Sequence, residues 1–262
     1  MRGIHVPKKN IFIVYAHPEP RSLNGALKNY AVDHLQGEGH TVEVSDLYEM
    51  GWRPEADSRD FLEYNPEERL IYHSSSKKAY LTNTQAPEIK DEQEKLKWMD
   101  ALIIQCPMWW FSLPAILKGW VDRVYARRFA YGVGYHGYDR YGSGNLKGKR
   151  ALLSMTIGPE EEHYSDRGVH GNMDDLLFPI THGILYYPGM EVLPPHLLYR
   201  AAGLTPEGFP AIAEAYSKRL NSLFTDKPIP FRSQGGGQYD ENLRLKIGIA
   251  EGKSGFSIHR ED

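Results

Sequence analysis

The sequence predicts a doubly wound α/β fold, with a five-stranded parallel sheet in the order 2-1-3-4-5 and helices on both faces. Three observations lead to this prediction. Apolar runs of strand length alternate five times with amphipathic helical patterns. The runs IFIVYA (11–16) and ALIIQC (101–106) are almost entirely apolar, as in strands that are covered on both faces. The connections are long enough to return each strand parallel to its neighbour.

The first strand, 11–16, leads into a run of apolar residues at helical spacing. Ser22 is the expected N-cap of this helix, and Gly37 lies where it is expected to stop. TVEVSDL (41–47) alternates between apolar and polar residues, which indicates the second strand.

The middle of the chain is less regular. The segment 48–87 shows no clean period and contains several prolines, so we predict a long excursion with short helical pieces, of the kind that usually serves function or an interface. A charged helix over 88–100 precedes the third strand, 101–106. Pro114 suits the first turn of the next helix, and the glycine- and tyrosine-rich segment 130–148 is expected to be a loop.

The last elements complete the alternation. We predict a fourth strand over 149–158, a helix over 173–187 with a kink at Pro179, a fifth strand over 190–199 and a helix over 209–224. The remaining residues resemble an extended arm. The expected organisation is therefore one domain over 1–224 and a C-terminal extension over 225–262 that packs on the domain or on a dimer partner.

Composition narrows the class of protein. The net charge of −3 over 262 residues, with both signs interspersed, gives no basic surface for nucleic acid or for an anionic membrane. The single cysteine, Cys106, excludes an intrachain disulfide and favours a reducing compartment. No apolar run is long enough for a signal segment or a membrane span. The expectation is a cytoplasmic protein without membrane insertion.

In a sheet of this order, ligands bind at the carboxyl ends of the strands near the switch point, so the loops after strands 1, 3 and 4 are the candidates for function. The first is HPEPRSLNG (17–25), which is neither a dinucleotide fingerprint nor a P-loop. Arg21, Ser22 and Asn24 lie at a helix start, where backbone N–H groups and the helix dipole attract an anion. A plain helix cap behind a rigid proline turn is the alternative; the position after strand 1 favours a phosphate-binding loop.

The second loop, PMWWFSLP (107–114), carries three adjacent aromatic residues between two prolines. Backbone amides there can hydrogen-bond the polar edge of a planar heterocycle while an aromatic ring covers its face. The alternative is that the aromatics are core residues. Two adjacent tryptophans in an extended segment cannot both point inward, so at least one is expected to face a ligand, a partner or solvent.

The third loop is TIGPEEEHYSDRGVHGN (156–172). Tyr164 and His170 can each donate a hydrogen bond to a developing anion, although a structural role for each is the alternative. The run Glu160–Glu162 is expected to be a solvated charged surface. His163 and His170 lack a recognisable metal-ligand spacing, so no metal site is expected.

Four stretches together resemble one family: YAHPEPRSLNGAL, VSDLYEMGWRP, PMWWFSLPAILKGWVDRV and YSDRGVHG. The chain is similar, from about residue 10 to about residue 223, to the flavin-dependent NAD(P)H:quinone reductases of the DT-diaphorase family. The resemblance implies a flavodoxin-like fold, a homodimer, tightly held FAD in a catalytic domain over 1–224, and two-electron (hydride) reduction of a quinone or similar aromatic acceptor by NADH or NADPH in a ping-pong cycle.

The resemblance also assigns roles to residues. Tyr164 and His170 would be the catalytic pair that stabilises charge on the reduced flavin, with His170 also able to relay a proton. The implied flavin-binding residues are His17, Arg21, Ser22, Leu23, Asn24, Pro107, Met108, Trp110, Phe111, Thr156, Ile157 and Gly158. The implied substrate pocket consists of Trp110, Phe111, Tyr131 and Tyr187, with Tyr187 from the second subunit.

Some positions depart from the family pattern. Arg21 replaces a small hydroxyl residue and Val133 replaces a pocket tyrosine, while Pro210 and Ile71 stand where polar contacts to the adenosine end of FAD are common. FMN therefore stays open as the cofactor, although chain length and the 48–87 segment favour FAD. The alternatives in function are an FMN-dependent azo- or nitro-compound reductase, a flavodoxin-like regulatory partner of a cation efflux system, and a flavin-free interaction domain.

Overall fold

The computed structural model describes residues 7–134 and 139–261. The predicted N-terminal segment 1–6, residues 135–138 of the predicted loop 130–148, and residue 262 lie outside the described residues.

Six strands form one parallel sheet. Their bounds are β1 Asn10–Tyr15, β2 Thr41–Asp46, β3 Ala101–Pro107, β4 Arg150–Thr156, β5 Glu191–Val192 and β6 His196–Leu198. The order across the sheet is β2-β1-β3-β4-β5, and β6 also pairs with β4. The predicted fold class and strand order are confirmed. β3 and β4 are buried along their whole length, as the mainly apolar run in β3 predicts for a strand that is covered on both faces.

Helices cover both faces of the sheet. Their bounds are α1 Leu23–Gly37, α2 Tyr72–Thr82, α3 Pro87–Trp98, α4 Ala115–Val124, α5 Met173–Phe178 and α6 Phe209–Asn221. Side chains alternate between the faces along β1. Ile11 and Ile13 pack in the core under α1 and α6. Phe12 and Val14 pack in the larger core under α3, α4 and α5.

The prediction of one fifth strand over 190–199 is wrong. The structure has two short strands there, β5 and β6, each paired with a different part of β4. Pro194 and Pro195 lie between them. Because proline has no N–H to donate to a strand ladder, the pairing stops at this point and resumes at His196.

The helix predicted over 173–187 changes type at its proline. The α-helical part ends at Phe178, and the chain continues as a π-helix over Pro179–Tyr186. Pro179 lacks an N–H and its ring crowds the preceding turn, so the regular hydrogen-bond ladder cannot pass through it. The widened helix follows the position where a kink was predicted. The last helix, α6, ends at Asn221 rather than at 224.

The excursion 48–87 contains a short 3₁₀ turn, Ser58–Asp60, and the eleven-residue helix α2. Asp60 ties it to the domain. Its fully buried carboxylate accepts hydrogen bonds from Arg123 Nε at 2.9 Å and from the Tyr72 hydroxyl at 2.7 Å, and it pairs with Arg53. A long segment of irregular backbone is thus held by one buried ion-pair network.

The arm after α6 folds back on the domain. Phe231 forms an antiparallel bridge with Arg260, which joins the start of the arm to its end. The Phe231 ring packs 5.1 Å from the ring of Tyr186 in the π-helix. Arg260 forms an ion pair with Asp174 of α5 at 2.6 Å. Across 7–134 and 139–261, every helix is too short or too polar to cross a bilayer.

Candidate active site

The three predicted loops meet at the carboxyl edge of the sheet because β1, β3 and β4 are adjacent and parallel. In the register of these strands Tyr15 lies beside Gln105, and Pro107 beside Thr156. Beyond the strand ends, the N–H of Met108 donates to the carbonyl of Thr156 at 2.8 Å. The loop after β3 is therefore hydrogen-bonded to the end of β4.

A buried polar chain joins the first and third loops below the surface. Gln105 Nε2 donates to Asn24 Oδ1 at 2.8 Å, and Asn24 Nδ2 donates to Thr156 Oγ1 at 2.8 Å. The hydroxyl of Tyr216 donates to Gln105 Oε1 at 3.4 Å. The side chain of Asn24 is thus used within the protein, and only its backbone N–H is open to a ligand. Sequence reasoning missed Gln105, although a lone amide in the run ALIIQC was a usable signal.

The first loop builds the start of α1. Ser22 Oγ accepts a hydrogen bond from the N–H of Gly25 at 3.1 Å, which confirms the predicted N-cap. Within the part of the chain that the structure describes, the N–H groups of Leu23 and Asn24 donate to no protein acceptor. Two free donors at the positive end of a fifteen-residue helix suit an anion such as phosphate.

Arg21 is held beside this helix start by its own neighbour. The Glu19 carboxylate accepts from Arg21 Nε at 2.8 Å, from Arg21 Nη2 at 3.0 Å and from the Arg21 N–H at 2.9 Å. These hydrogen bonds lower the pKa of Glu19 to about 2, so the pair stays ionised and close to neutral overall. Arg21 therefore brings less positive charge to the loop than its residue type suggests.

The second loop is a tight two-residue turn. Trp109 and Ser112 exchange backbone hydrogen bonds at 3.1 Å in each direction, with Trp110 and Phe111 between them. Both central residues have positive φ, 49° for Trp110 and 61° for Phe111. That conformation favours glycine or asparagine, and bulky residues adopt it only under constraint, often at functional sites. Trp110 is 94% exposed, so the turn holds a large ring out from the surface.

Trp109 has a structural role that the sequence left unexplained. Its indole lies 6.1 Å from the imidazole of His17, ring centroid to ring centroid. His17 Nδ1 in turn accepts a hydrogen bond from the N–H of Glu19 at 3.1 Å. The first and second loops are therefore linked through this ring contact at the surface as well as through the buried amides below.

The third loop brings the predicted catalytic pair together. The rings of Tyr164 and His170 lie 4.8 Å apart, and the ring of Phe111 lies 5.3 Å from His170. The backbone N–H of His170 donates to the carbonyl of His163 at 3.0 Å. Gly168 makes this turn possible, because a Cβ there would lie 2.2 Å from the same carbonyl. Burial raises the pKa of the Tyr164 hydroxyl, so it remains a proton donor at neutral pH.

The other two predicted pocket residues lie in a second group. Tyr131 and Tyr187 contact each other with ring centroids 6.4 Å apart, and Arg140 stacks 6.0 Å from the Tyr187 ring. Among the described residues, the ring of Phe111 contacts His170 and neither of these tyrosines. The predicted pocket residues of one chain therefore form two groups, one at Trp110, Phe111 and His170 and the other at Tyr131 and Tyr187.

The residues at the sheet edge fit a flavin nucleotide. The free N–H groups of Leu23 and Asn24 suit its phosphate, and the exposed aromatic turn suits its planar ring. Gly158 is exposed, with no atom within 4 Å of where a Cβ would stand, so backbone there is open to close approach by a ligand. Among the described residues, no group of three or more His, Cys, Asp or Glu side chains could hold a metal ion.

An open parallel sheet with an anion-binding helix start and an exposed aromatic turn at its carboxyl edge is typical of flavodoxin-like proteins. A family model described as "Flavodoxin-like fold" matches residues 9–220. The chain is 48% identical over 256 residues to the ribosyldihydronicotinamide dehydrogenase-like protein traD of Penicillium crustosum, covering 95% of this chain and 94% of that one. It is 43% identical over 224 residues to the human ribosyldihydronicotinamide dehydrogenase [quinone], covering 85% and 95%.

A solved structure from Klebsiella pneumoniae, described as a candidate quinone reductase, superposes with a TM-score of 0.94 at 49% identity. It covers 97% of this chain and 100% of its own. The chain therefore belongs to the flavodoxin-like fold family and, within it, to the quinone reductase family.

Proposed function

We propose that this protein is a flavin-dependent quinone oxidoreductase that uses FAD and takes hydride from a reduced nicotinamide, NADH or NADPH. The observation that carries the proposal is the meeting of Phe111, Tyr164 and His170 beside the constrained turn at the sheet edge. The family, whose members include a human dehydrogenase named for a quinone acceptor and a dihydronicotinamide donor, supports the same reaction class.

In this proposal the first loop binds the phosphates through the N–H groups of Leu23 and Asn24, with His17, Arg21 and Ser22 shaping the loop. The flavin ring would rest on the second loop and face Gly158 across the site. The flavin-binding residues are thus Pro107, Met108, Trp110, Phe111, Thr156, Ile157 and Gly158, together with those of the first loop.

Bound flavin would supply a hydride acceptor and donor, so that the nicotinamide and the quinone react in turn at one face in a ping-pong cycle. The chain's own contribution is electrostatic. The Tyr164 hydroxyl and an imidazole N–H of His170, whose rings lie together, would each donate a hydrogen bond to the negative charge of the reduced flavin. Both donors are fixed before reaction by the surrounding rings and by the His170–His163 backbone bond.

His170 has a second role in this proposal, which is to transfer a proton to the side of the site where the electron acceptor binds. Its ring is half-buried and lies between the buried ring of Tyr164 and the exposed ring of Phe111, so it contacts both the interior and the pocket. Imidazole has a nitrogen that donates and one that accepts, and histidine is the side chain that enzymes use most often as general acid and base, which suits this relay.

We also propose that the active enzyme is a homodimer. Trp110 and Phe111 form one half-site and Tyr131 and Tyr187 another, so a second copy that brings its tyrosines over the aromatic turn would complete the pocket. The exposure of Trp109, Trp110 and Phe111 side by side supports this arrangement, since contiguous exposed apolar patches often mark interaction sites. The catalytic unit in this proposal is 1–224, acting in the cytoplasm.

The first experiment identifies the cofactor. The purified protein should show flavin absorbance, and chromatography of the released flavin should give FAD. Release of FMN would instead support the alternative function, an FMN-dependent azo- or nitro-compound reductase. A colourless protein that takes up neither flavin on incubation contradicts the proposal as a whole.

The second experiment tests the roles of the donors. Stopped-flow reduction of the holoenzyme by NADH, NADPH and dihydronicotinamide riboside gives the donor preference and the rate of the reductive half-reaction. We expect Tyr164→Phe and His170→Ala each to slow this step by about 10²-fold, the range for loss of one preorganised donor. The control is His163→Ala, whose ring lies beside His170 but is exposed. Equal rates of flavin reduction in the parent and all variants would contradict the roles assigned to Tyr164 and His170.

A further inference from the structure

A cavity of about 430 Å³ lies between the domain and the C-terminal arm, and the proposed quinone reaction assigns no role to the residues that line it. We call it the arm cavity. Its floor is Phe178 and His182 at the junction of α5 and the π-helix, one side is Arg140 and Tyr141, and the arm closes it with residues that include Arg232 and Phe256. The volume is within the range of small-molecule sites and is small for a dinucleotide.

Stacked aromatic rings form the wall of the arm cavity. Tyr141 stacks on His182 with centroids 4.5 Å apart, His182 stacks on Phe178 at 4.5 Å, and Phe178 stacks on Phe256 at 4.5 Å. The planes within these three pairs are inclined by 23°, 15° and 8°. In this stack the faces of His182 and Phe178 are covered by their neighbours, so the cavity is lined by ring edges, and edge-to-face packing against them suits a planar aromatic ligand.

Arg232 brings an unpaired charge into this cavity. The residue is only 7% exposed, and its backbone N–H and Nε donate to the carbonyls of His259 and Ile258 at 2.9 and 3.0 Å. These bonds fix the guanidinium against the end of the arm. Within 7–134 and 139–261, its two terminal nitrogens have no hydrogen-bond acceptor and no carboxylate partner. The positive end of Arg232 is therefore held in place and available to an anion that enters the cavity.

The other groups around the cavity keep its charge positive. Arg140 lines it and donates through Nε to Gln234 Oε1 at 2.9 Å. Burial lowers the pKa of His182 to about 4, and burial together with Arg232 lowers the pKa of His259, so both imidazoles are neutral near pH 7. None of the described residues that line the cavity is acidic. Within the described residues, the guanidinium groups of Arg140 and Arg232 thus have no carboxylate partner.

We propose that the arm cavity binds a planar aromatic carboxylate. The guanidinium of Arg232 binds the carboxylate, because its paired N–H donors match the geometry of the two carboxylate oxygens. The aromatic ring of the ligand packs against Tyr141, Phe178 and Phe256. Arg140 adds a second positive charge at the mouth. An anion with a planar apolar body both neutralises the guanidinium groups and packs against the aromatic side chains. A simple inorganic anion or a neutral aromatic molecule does only one of these.

The site also touches the proposed substrate pocket. Arg140 stacks on Tyr187, and its Nη1 lies 3.5 Å from the Tyr187 hydroxyl. An acid bound in the arm cavity would draw the Arg140 guanidinium towards itself and change the position of Tyr187. The proposal goes beyond quinone reduction, and binding can be measured without turnover, so it stands or falls separately from the proposed reaction.

The test is calorimetric titration of the purified holoprotein with 2-naphthoate and with its neutral analogue 2-naphthamide. We expect naphthoate to bind at one such site per chain and the amide to bind at least tenfold more weakly, because it cannot neutralise Arg232. Arg232→Gln should weaken naphthoate binding at least tenfold. Arg244→Gln is the matched control, because Arg244 lies in the same arm but pairs with Asp240 at the surface.

Two further variants keep the result interpretable. Phe256→Ala removes one wall ring from a residue that is 45% exposed, so the fold should survive even if Arg232→Gln destabilises the arm, and naphthoate binding should still fall. Phe111→Ala, in the proposed quinone site, should leave this binding unchanged. Naphthoate binding that is absent, that survives in both Arg232→Gln and Phe256→Ala, or that is lost only in Phe111→Ala overturns the proposal.

Discussion

The imidazole of His170 lies 5.3 Å from the phenyl ring of Phe111, with the two ring planes inclined at 63°. One residue follows β4 and the other follows β3, and they are 59 positions apart in the sequence, the difference between 170 and 111. The contact depends on the parallel pairing of β3 with β4, which brings the two strand ends to the same level. The site is therefore produced by the sheet topology. A substitution in either loop should change the conformation of the other.

The turn at Trp110 stores conformational strain, and removing it should stabilise the flavin-free protein. Trp110→Gly relieves the positive φ of a nearly fully exposed residue, which should add about 1 kcal/mol to the free energy of unfolding. For a protein of this size that corresponds to a rise in Tm of about 2–4 °C by calorimetry. Flavin affinity should fall in the same variant, because the exposed ring is lost.

The control for this prediction is Trp109→Gly. Trp109 does not have a positive φ and its ring contacts His17, so glycine there removes a contact without relieving strain. Its Tm should fall. If Trp110→Gly lowered Tm as much as Trp109→Gly does, the turn would not be strained in the way described.

Gly25 is required by the close approach of the first loop to α1. A Cβ at this position would lie 2.0 Å from the carbonyl oxygen of Pro20. Gly25→Ala should therefore move the proline turn and the cap at Ser22, lowering the free energy of unfolding by about 2 kcal/mol or more in urea denaturation. Gly37→Ala is the matched control in the same helix, where no atom lies within 4 Å of the added methyl group. That variant should be neutral or up to about 1 kcal/mol more stable.

Asp60 holds the excursion 48–87 against α4, and its loss should be costly. Asp60→Ala leaves the fully buried guanidinium of Arg123 without its main partner, so we expect a loss of about 3–5 kcal/mol in chemical denaturation. Asp57→Ala removes a carboxylate from the same turn that is 34% exposed in its side chain, and should cost about 1 kcal/mol. Similar losses in the two variants would show that the buried network is not what anchors the segment.

The half-buried imidazole of His182 should make the free energy of unfolding depend on pH below neutrality. Burial lowers its pKa to about 4 in the folded protein, against about 6.5 when unfolded. The unfolded chain then binds more protons between these values, so stability is present above pH 6.5 and is lost as the pH falls towards 4. Allowing for its partial exposure, we expect this residue to contribute about 1–2 kcal/mol of that loss.

His182→Phe tests this contribution, because phenylalanine can occupy the space between Tyr141 and Phe178 without binding a proton. Unfolding measured in urea at several pH values should show a shallower decline from pH 6.5 to 4 than in the parent. His73→Phe, at an exposed position in α2, should leave the decline unchanged. An unaltered slope in His182→Phe would contradict the prediction.

Much of the fold could be predicted because apolar periodicity reports burial directly. The unbroken runs in β1 and β3 indicate strands covered on both faces, and Ser22 has the side-chain oxygen that a helix start needs. Placing the functional loops at the carboxyl ends of β1, β3 and β4 then followed from the topology alone. The contact between His170 and Phe111 shows that the loops after β3 and β4 meet at this edge, while their function stays a prediction.

The details that escaped prediction are those that depend on tertiary contacts. A positive φ at Trp110 and Phe111 has no signal in composition, since glycine is the residue expected there. The partner of Trp109 proved to be His17, far away in the sequence. The two prolines at 194 and 195 were visible, but the return of the chain to β4 after them depends on pairing that periodicity cannot report.

The divided edge of the sheet has a consequence for how the protein behaves in concentrated solution. An edge strand with a long row of unpaired backbone groups is a template on which another chain can add a strand. At the edge next to β4, the strands β5 and β6 have only two and three residues, with prolines between them. This is too short and too irregular a template for such growth. The interruption that shortens the strand thus also guards this side of the molecule against aggregation.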